Sequence, residues 1–313
     1  MRKSKRFKKL ISKAVPLWFF VLALFYSILG TGLFEYYILR KNFDAQILEL
    51  AKTTKDSDEL VQILKEQVLP QKGYQLSIRW NDIGKKLLES GAIDKTKYDE
   101  LFTNDSLSKE QMGYLSTDSG DHMMINEQNS RFMVNTLWAF GLVNKASVLD
   151  DGSIKTYGKG DFMSYASTGG WTLGAKPTRE IFSSQELVKL TPEQEEIVRK
   201  IAQTIYRPCC GNSAEFPDCN HGMAALGYVE IAVSQGISQE QIYKDLLALN
   251  SFWFPQQYVE IAAYMNQQKT EWKDVDPKLI LSSQYSSSKG SQSVKQSIQG
   301  VPGFSIQGGG CGA

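Results

Sequence analysis

The chain has 313 residues, 42% of them hydrophobic and 11% aromatic, which supplies enough apolar surface for one large core or two modest ones. Its formal net charge is +1, but Arg2, Lys3, Lys5, Arg6, Lys8, Lys9 and Lys13 all precede the first apolar run, so the rest of the chain is acidic, at −6. Such a body excludes nucleic acid as an electrostatic partner, and four cysteines are too few to build a disulfide-held scaffold.

Residues 1–13 are expected to form a cytoplasmic basic segment and residues 14–34 a transmembrane anchor. Ala14 to Phe34 carries no charged residue, and at ~1.5 Å rise per residue a helix of that length covers the ~30 Å hydrocarbon core. Pro16 is tolerable in its first turn, and Trp18, Tyr26, Tyr36 and Tyr37 lie where interfacial aromatics belong. The basic cluster predicts a single-pass protein, N-in, with its C-terminal domain extracytoplasmic and the lipid bilayer as a partner. A cleavable signal peptide opens in the same way. The long span and the lack of a small-x-small site after it favour an uncleaved signal-anchor, and no cysteine follows that could take a lipoprotein anchor.

Residues 35–75 read as an amphipathic helical stalk, with Ile47, Leu48, Leu50, Ala51, Leu60, Val61, Ile63 and Leu64 at helical spacing and Pro70 and Gly73 as the stop. Residues 76–190 read as a mixed, loop-rich region. Within it Ile83, Leu87 and Leu88 mark a short helix ended by Gly91, and Asp94 caps a second through Leu101. Met133–Val143 is an apolar segment, Asp151-Gly152 suggests a hairpin turn, and Tyr165–Gly174 reads as a turn-rich connection over Trp171. Neither a phosphate-loop pattern nor a Gly-x-Ser-x-Gly elbow is present there. His122, followed by Met123 and Met124, is at most a weak soft-metal trio in a loop.

Residues 191–281 read as a helical domain. Thr191-Pro-Glu-Gln194 combines an N-cap, a proline at the first helical position and a capping-box glutamine, so a helix should run to about Tyr206. A second should begin between Asp218 and His221 and end at Gly236, a third is capped by Ser238, and a fourth follows Pro255. Residues 282–313, dominated by Ser, Gln and Gly, are expected to be a flexible tail ending in Cys311, which could range roughly 30 Å from its root. The fold class expected is mainly α with some β-hairpin.

Cys209, Cys210, Cys219 and His221 fall within thirteen residues, between two of these helices. Cys219, beside a helix amino terminus, is expected to be the most acidic thiol, with Asp218 as a cap and His221 as an assisting base or ligand. Three readings remain open. In the first, one vicinal cysteine pairs with Cys219 in a disulfide that staples the loop of an envelope structural protein. In the second, the cluster exchanges thiols, disulfides or sulfur, with Cys311 as a mobile shuttle and another envelope thiol protein as partner. In the third, Cys209, Cys210, Cys219 and His221 bind zinc or copper as a Cys₃His set.

The layout of Arg207-Pro-Cys-Cys, a helix, Gly236-Ile-Ser238, a helix and an aromatic turn with Pro255 resembles the membrane-anchored thiol-reducing subunit of cytochrome c maturation, the CcmH type, over about residues 191–255. That family carries Cys-x-x-Cys where this chain has Cys-Cys and adds Cys219. The terminal Gly-Gly-Gly-Cys-Gly-Ala resembles the swinging arm of the thiosulfate-oxidation carrier, whose cysteine holds sulfur intermediates. The first resemblance implies thiol-disulfide oxidoreductase-like chemistry at the Cys209/Cys210 region and the second a sulfur-carrying Cys311. With the cluster as read above, the expected catalytic residues are Cys209, Cys210, Cys219, His221 and Cys311, and thiol or sulfur exchange is the function expected.

Overall fold

The computed structural model describes residues 17–102, 113–116, 118–158, 161–298, 301 and 304. The chain divides into two units, residues 1–57 and 58–313. Helix α1 runs over Leu17–Val68. Within it Trp18–Leu39, 22 residues with mean hydropathy 1.6, is long and apolar enough to cross a membrane, and every side chain along it is exposed. Thr31 Oγ1, the hydroxyl mid-span, donates back to Ser27 O at 2.7 Å. The basic residues before Ala14 lie outside the described residues.

The second unit is mainly α. From Asp58, the last turns of α1 bury Leu64 and Val68 and stop before Pro70, and Gly73 takes the left-handed turn at φ +75°. Strand β1 (Tyr74–Asn81) then pairs antiparallel with β2 (Ser119–Ile125), Tyr74 opposite Ile125 and Gln75 opposite Met124. Leu76, Ile78 and Trp80 alternate inward and are fully buried, the period-2 signature of a strand with one covered face. Helices α2 (Ile83–Glu89) and α3 (Lys95–Phe102) lie between the strands. As expected, Gly91 ends the first at φ +79°, and Asp94 Oδ1 accepts from Thr96 N and Lys97 N to start the second.

The core is built on α4 (Ser130–Val143) and α6 (Asn220–Ser234), with α5 (Pro192–Ala202), α7 (Gln239–Trp253) and α8 (Pro255–Gln267) around them. All residues of 132–143 and 221–233 are buried. A Cβ at Gly141 would stand 2.3 Å from Met223 O, and one at Gly227 would stand 2.7 Å from Leu137 O, so reciprocal glycines let the two backbones touch. Large apolar side chains along this seam, such as Leu137, Phe140, Leu226 and Val229, each contribute roughly 1.5–3 kcal/mol by burial. The start of α6 is thereby held against the buried helix α4.

The capping box at Thr191 forms with both bonds, and Ser238 Oγ accepts from Gln241 N. Four expectations are corrected. The helix from Pro192 ends at Ala202, short of Tyr206. Asp151-Gly152 is not a hairpin turn but joins two helical turns, Ser147–Asp150 and Ser153–Tyr157, because the flanks lack strand alternation. His122 and Met124 point to one face of β2 while Met123 is buried on the other, so the three form no common site.

The flexible tail expected from residue 282 is in fact folded as far as Ile298, with helical turns at Ser283–Ser286 and helix α9 at Ser288–Ser297. Few apolar groups suffice, because Val294 and Ile298 are buried and Ser286 and Ser287 find partners inside the protein. Ser286 Oγ donates to Ile280 O at 2.7 Å and meets Tyr258 OH at 2.8 Å, and Ser287 Oγ caps α9 through Gly290 N.

Candidate functional site

Residues 203–219 connect the end of α5 to the start of α6 and are tied down along their length. Ala214 N donates to Ile205 O, Glu215 N to Ala202 O, and Ser167 N to Asp218 O. Ser288 N, at the head of α9, donates to Cys210 O at 2.9 Å, so the folded part of the tail braces the cysteine loop. Cys219 itself is the N-cap of α6, and its Sγ accepts from Gly222 N at 3.4 Å. Asp218, expected as the cap, instead accepts from Asn212 Nδ2 at 2.7 Å and pairs with Arg207.

Three of the expected site residues come together. Cys209 Sγ lies 3.7 Å and Cys210 Sγ 3.8 Å from Cys219 Sγ, the three sulfurs are mutually within 4.8 Å, and all three are free and partly exposed. His221 does not join them. It is 3% exposed, with its ring packed 4.4 Å from Phe254 and 5.7 Å from Trp253, because one residue into a fully buried helix it faces the core. Burial lowers its pKa to about 4, so it is neutral at physiological pH. Cys311 lies outside the described residues.

In place of the histidine stands a residue whose role the sequence did not reveal. Arg207 is fully buried; its Nη2 donates to Cys210 Sγ at 3.0 Å and Cys219 Sγ at 3.2 Å and lies 3.4 Å from Asp218 Oδ1. Its Nη1 donates to Asn212 O at 2.8 Å, and its Nε is without a partner. A Cβ at position 222 would sit 2.5 Å from Nη2, so Gly222 makes the room for the guanidinium. Burial works against the charge, and the Cys219, Cys210 and Cys209 sulfurs outweigh it and hold the guanidinium protonated. The signal was present as an arginine two residues before a vicinal cysteine pair, which would be out of place in an apolar loop unless it met anionic sulfur.

The thiols are unequal. Hydrogen bonds from Cys209 and Cys210, with Arg207 beside it, hold the Cys219 thiol well below its ordinary range against the effect of burial. Cys210 accepts from Cys209 but donates to Cys219 and is partly desolvated, and is pushed up to about 11. Cys209, bonded to both other sulfurs and buried, is pushed up further. The site is therefore one thiolate receiving two thiols and a guanidinium. Such a set can hold a soft metal ion between the sulfurs, or use one sulfur as nucleophile and a neighbour to resolve the product.

No protein-family model matches the chain, and no curated protein or solved structure is significantly similar to it.

Proposed function

We propose that the chain is a membrane-anchored protein that captures a single soft metal ion, Cu(I), between Cys209, Cys210 and Cys219. The spacing of the three sulfurs is the observation that carries this reading. With two separations of 3.7 and 3.8 Å and the third within 4.8 Å, the point equidistant from all three lies about 2.1–2.4 Å from each, which brackets a metal–thiolate bond of ~2.3 Å. The donor set is all sulfur, which suits Cu(I). Zinc wants a fourth ligand, and among the described residues no His, Cys, Asp or Glu completes the set. Anchoring through Trp18–Leu39, with the basic amino terminus inside, would hold the site on the extracytoplasmic side of the bilayer.

Anaerobic titration of the reduced full-length protein in detergent with Cu(I), against a competing chelator, should give one ion per chain. X-ray absorption should show a shell of three sulfurs. No binding beyond that of a chain with Cys209, Cys210 and Cys219 all changed to Ser, or a shell without three sulfurs, would refute the reading.

Thiol exchange is a second reading, favoured by the placement of Cys219 at a helix amino terminus between two other thiols. The Cys219 thiolate would attack a partner disulfide and expel one partner thiolate. Cys209 or Cys210 would then attack Cys219, releasing the reduced partner and leaving an internal disulfide. A second envelope protein with a dithiol would have to re-reduce that disulfide, giving up two electrons and becoming a disulfide itself, with Cys311 able to take part only as one thiol of a mixed disulfide. The resemblance to the CcmH-type subunit points the same way. Intact mass before and after reductant separates the two readings, since exchange passes through a species lighter by two hydrogens and metal capture does not.

A further inference from the structure

We propose that Arg207 sets which ion the three-sulfur site accepts, its buried and permanent positive charge turning the site against a divalent ion and toward monovalent Cu(I). The inference rests on the reading of the cluster as a metal site. Arg207 Nη2 touches two of the three sulfurs, at 3.0 and 3.2 Å, so its charge lies within a few ångströms of any ion they share. The side chain is fully buried and cannot swing into solvent, and Asn212 O, Asp218 and the space left by Gly222 fix its plane.

A fixed charge beside a metal acts in proportion to the metal's own charge, so the guanidinium opposes Zn(II) twice as strongly as Cu(I). It also favours deprotonated thiols, but that benefit is common to any ion that displaces the same protons and cancels in the ratio of two affinities. Its second effect is steric. Where a tetrahedral ion would need a fourth ligand beside Cys210 and Cys219, the guanidinium already occupies the space, and a trigonal ion needs none. Asp218, 3.4 Å from Nη2, offsets part of the charge, so the two residues pull selectivity in opposite directions.

The test measures Cu(I) and Zn(II) affinities of the reduced full-length protein by chelator competition and reads their ratio. Arg207→Met should move the ratio toward Zn(II) by about tenfold or more, the change expected of one partly screened unit charge at this range. Arg207→Lys, which keeps the charge, should stay near the wild-type ratio, and Asp218→Asn should move it toward Cu(I). An unchanged ratio in Arg207→Met, or a shift in Arg207→Lys as large as in Arg207→Met, would overturn the proposal. Should circular dichroism show that Arg207→Met does not fold, an Asp218→Asn ratio that stays put or moves toward Zn(II) overturns it. Wild-type protein that binds neither ion more tightly than the triple Ser chain refutes the metal site and this inference together. Binding of both ions with a ratio indifferent to all three variants refutes this inference alone.

Discussion

Cys219 carries two duties that substitution can separate. Its Sγ is one corner of the sulfur triangle and also the cap that accepts Gly222 N at the start of α6. Serine is among the best N-cap residues, whereas alanine at a cap costs about 1 kcal/mol. Both substitutions also remove the sulfur that offsets the buried Arg207 charge, so both should melt below wild type, with Cys219→Ala lower than Cys219→Ser. Both should weaken Cu(I) binding by more than the 10–100-fold typical of losing a supporting contact around a metal. Thermal melts and chelator competition on the two variants check this; equal melting temperatures would remove the capping role. The place of Cys219 at a helix start was legible in the sequence from local signals after Asp218, whereas the hydrogen bonds from Cys209 and Cys210 and the Arg207 charge that depress its thiol were not. The exclusion of His221 was not, since one residue of phase around α6 decides whether a ring meets the sulfurs or Phe254, and only the packing of α6 against its neighbours fixes that phase.

Helices with local punctuation were readable, and elements made by distant partners were not. Thr191-Pro-Glu-Gln194, Gly236, Ser238 and Pro255 each act within one turn, and the helices begin and end beside them. The pairing of Tyr74–Asn81 with Ser119–Ile125 spans a long separation and is broken by register irregularities, so no hairpin signal marks it. The tail after Ser282 misled for a different reason: serine-rich composition signals disorder, yet here Ser286 and Ser287 bond inside the protein and two apolar side chains seal α9. Helix α6 also contains a group that constrains its stability. Glu230 is fully buried, with Oε2 accepting from Asn144 Nδ2 at 2.8 Å and Oε1 without a partner, and burial raises its pKa well above the carboxylate range. A carboxyl whose folded pKa is raised gives stability that is fully present below its unfolded value, near 4.5, and lost as pH climbs through the folded value. Glu230→Gln should thus match wild type in denaturant midpoint near pH 4 and exceed it increasingly toward alkaline pH. A constant difference across that range would show that folding does not raise the Glu230 pKa.

For the molecule as a whole, location determines what the sulfur site can meet. A reducing cytoplasm would keep three thiols free but supplies glutathione that competes for Cu(I), whereas an oxidising compartment exposes them to disulfide formation unless a metal or a reductant holds them. The two units give separate handles on this question: the exposed Trp18–Leu39 segment is long and apolar enough to cross a bilayer, and in the reading proposed above the seven basic residues before Ala14 keep the amino terminus on the cytoplasmic side. Protease added to intact cells should therefore digest the 58–313 unit, starting in exposed connections, while a tag fused ahead of Met1 stays protected until the membrane is opened. If the tag is cleaved first and the 58–313 unit survives until lysis, the topology is inverted. The cluster would then work in a reducing compartment, where glutathione both opposes an internal disulfide and competes for Cu(I), so the three sulfurs would have to outbind that pool.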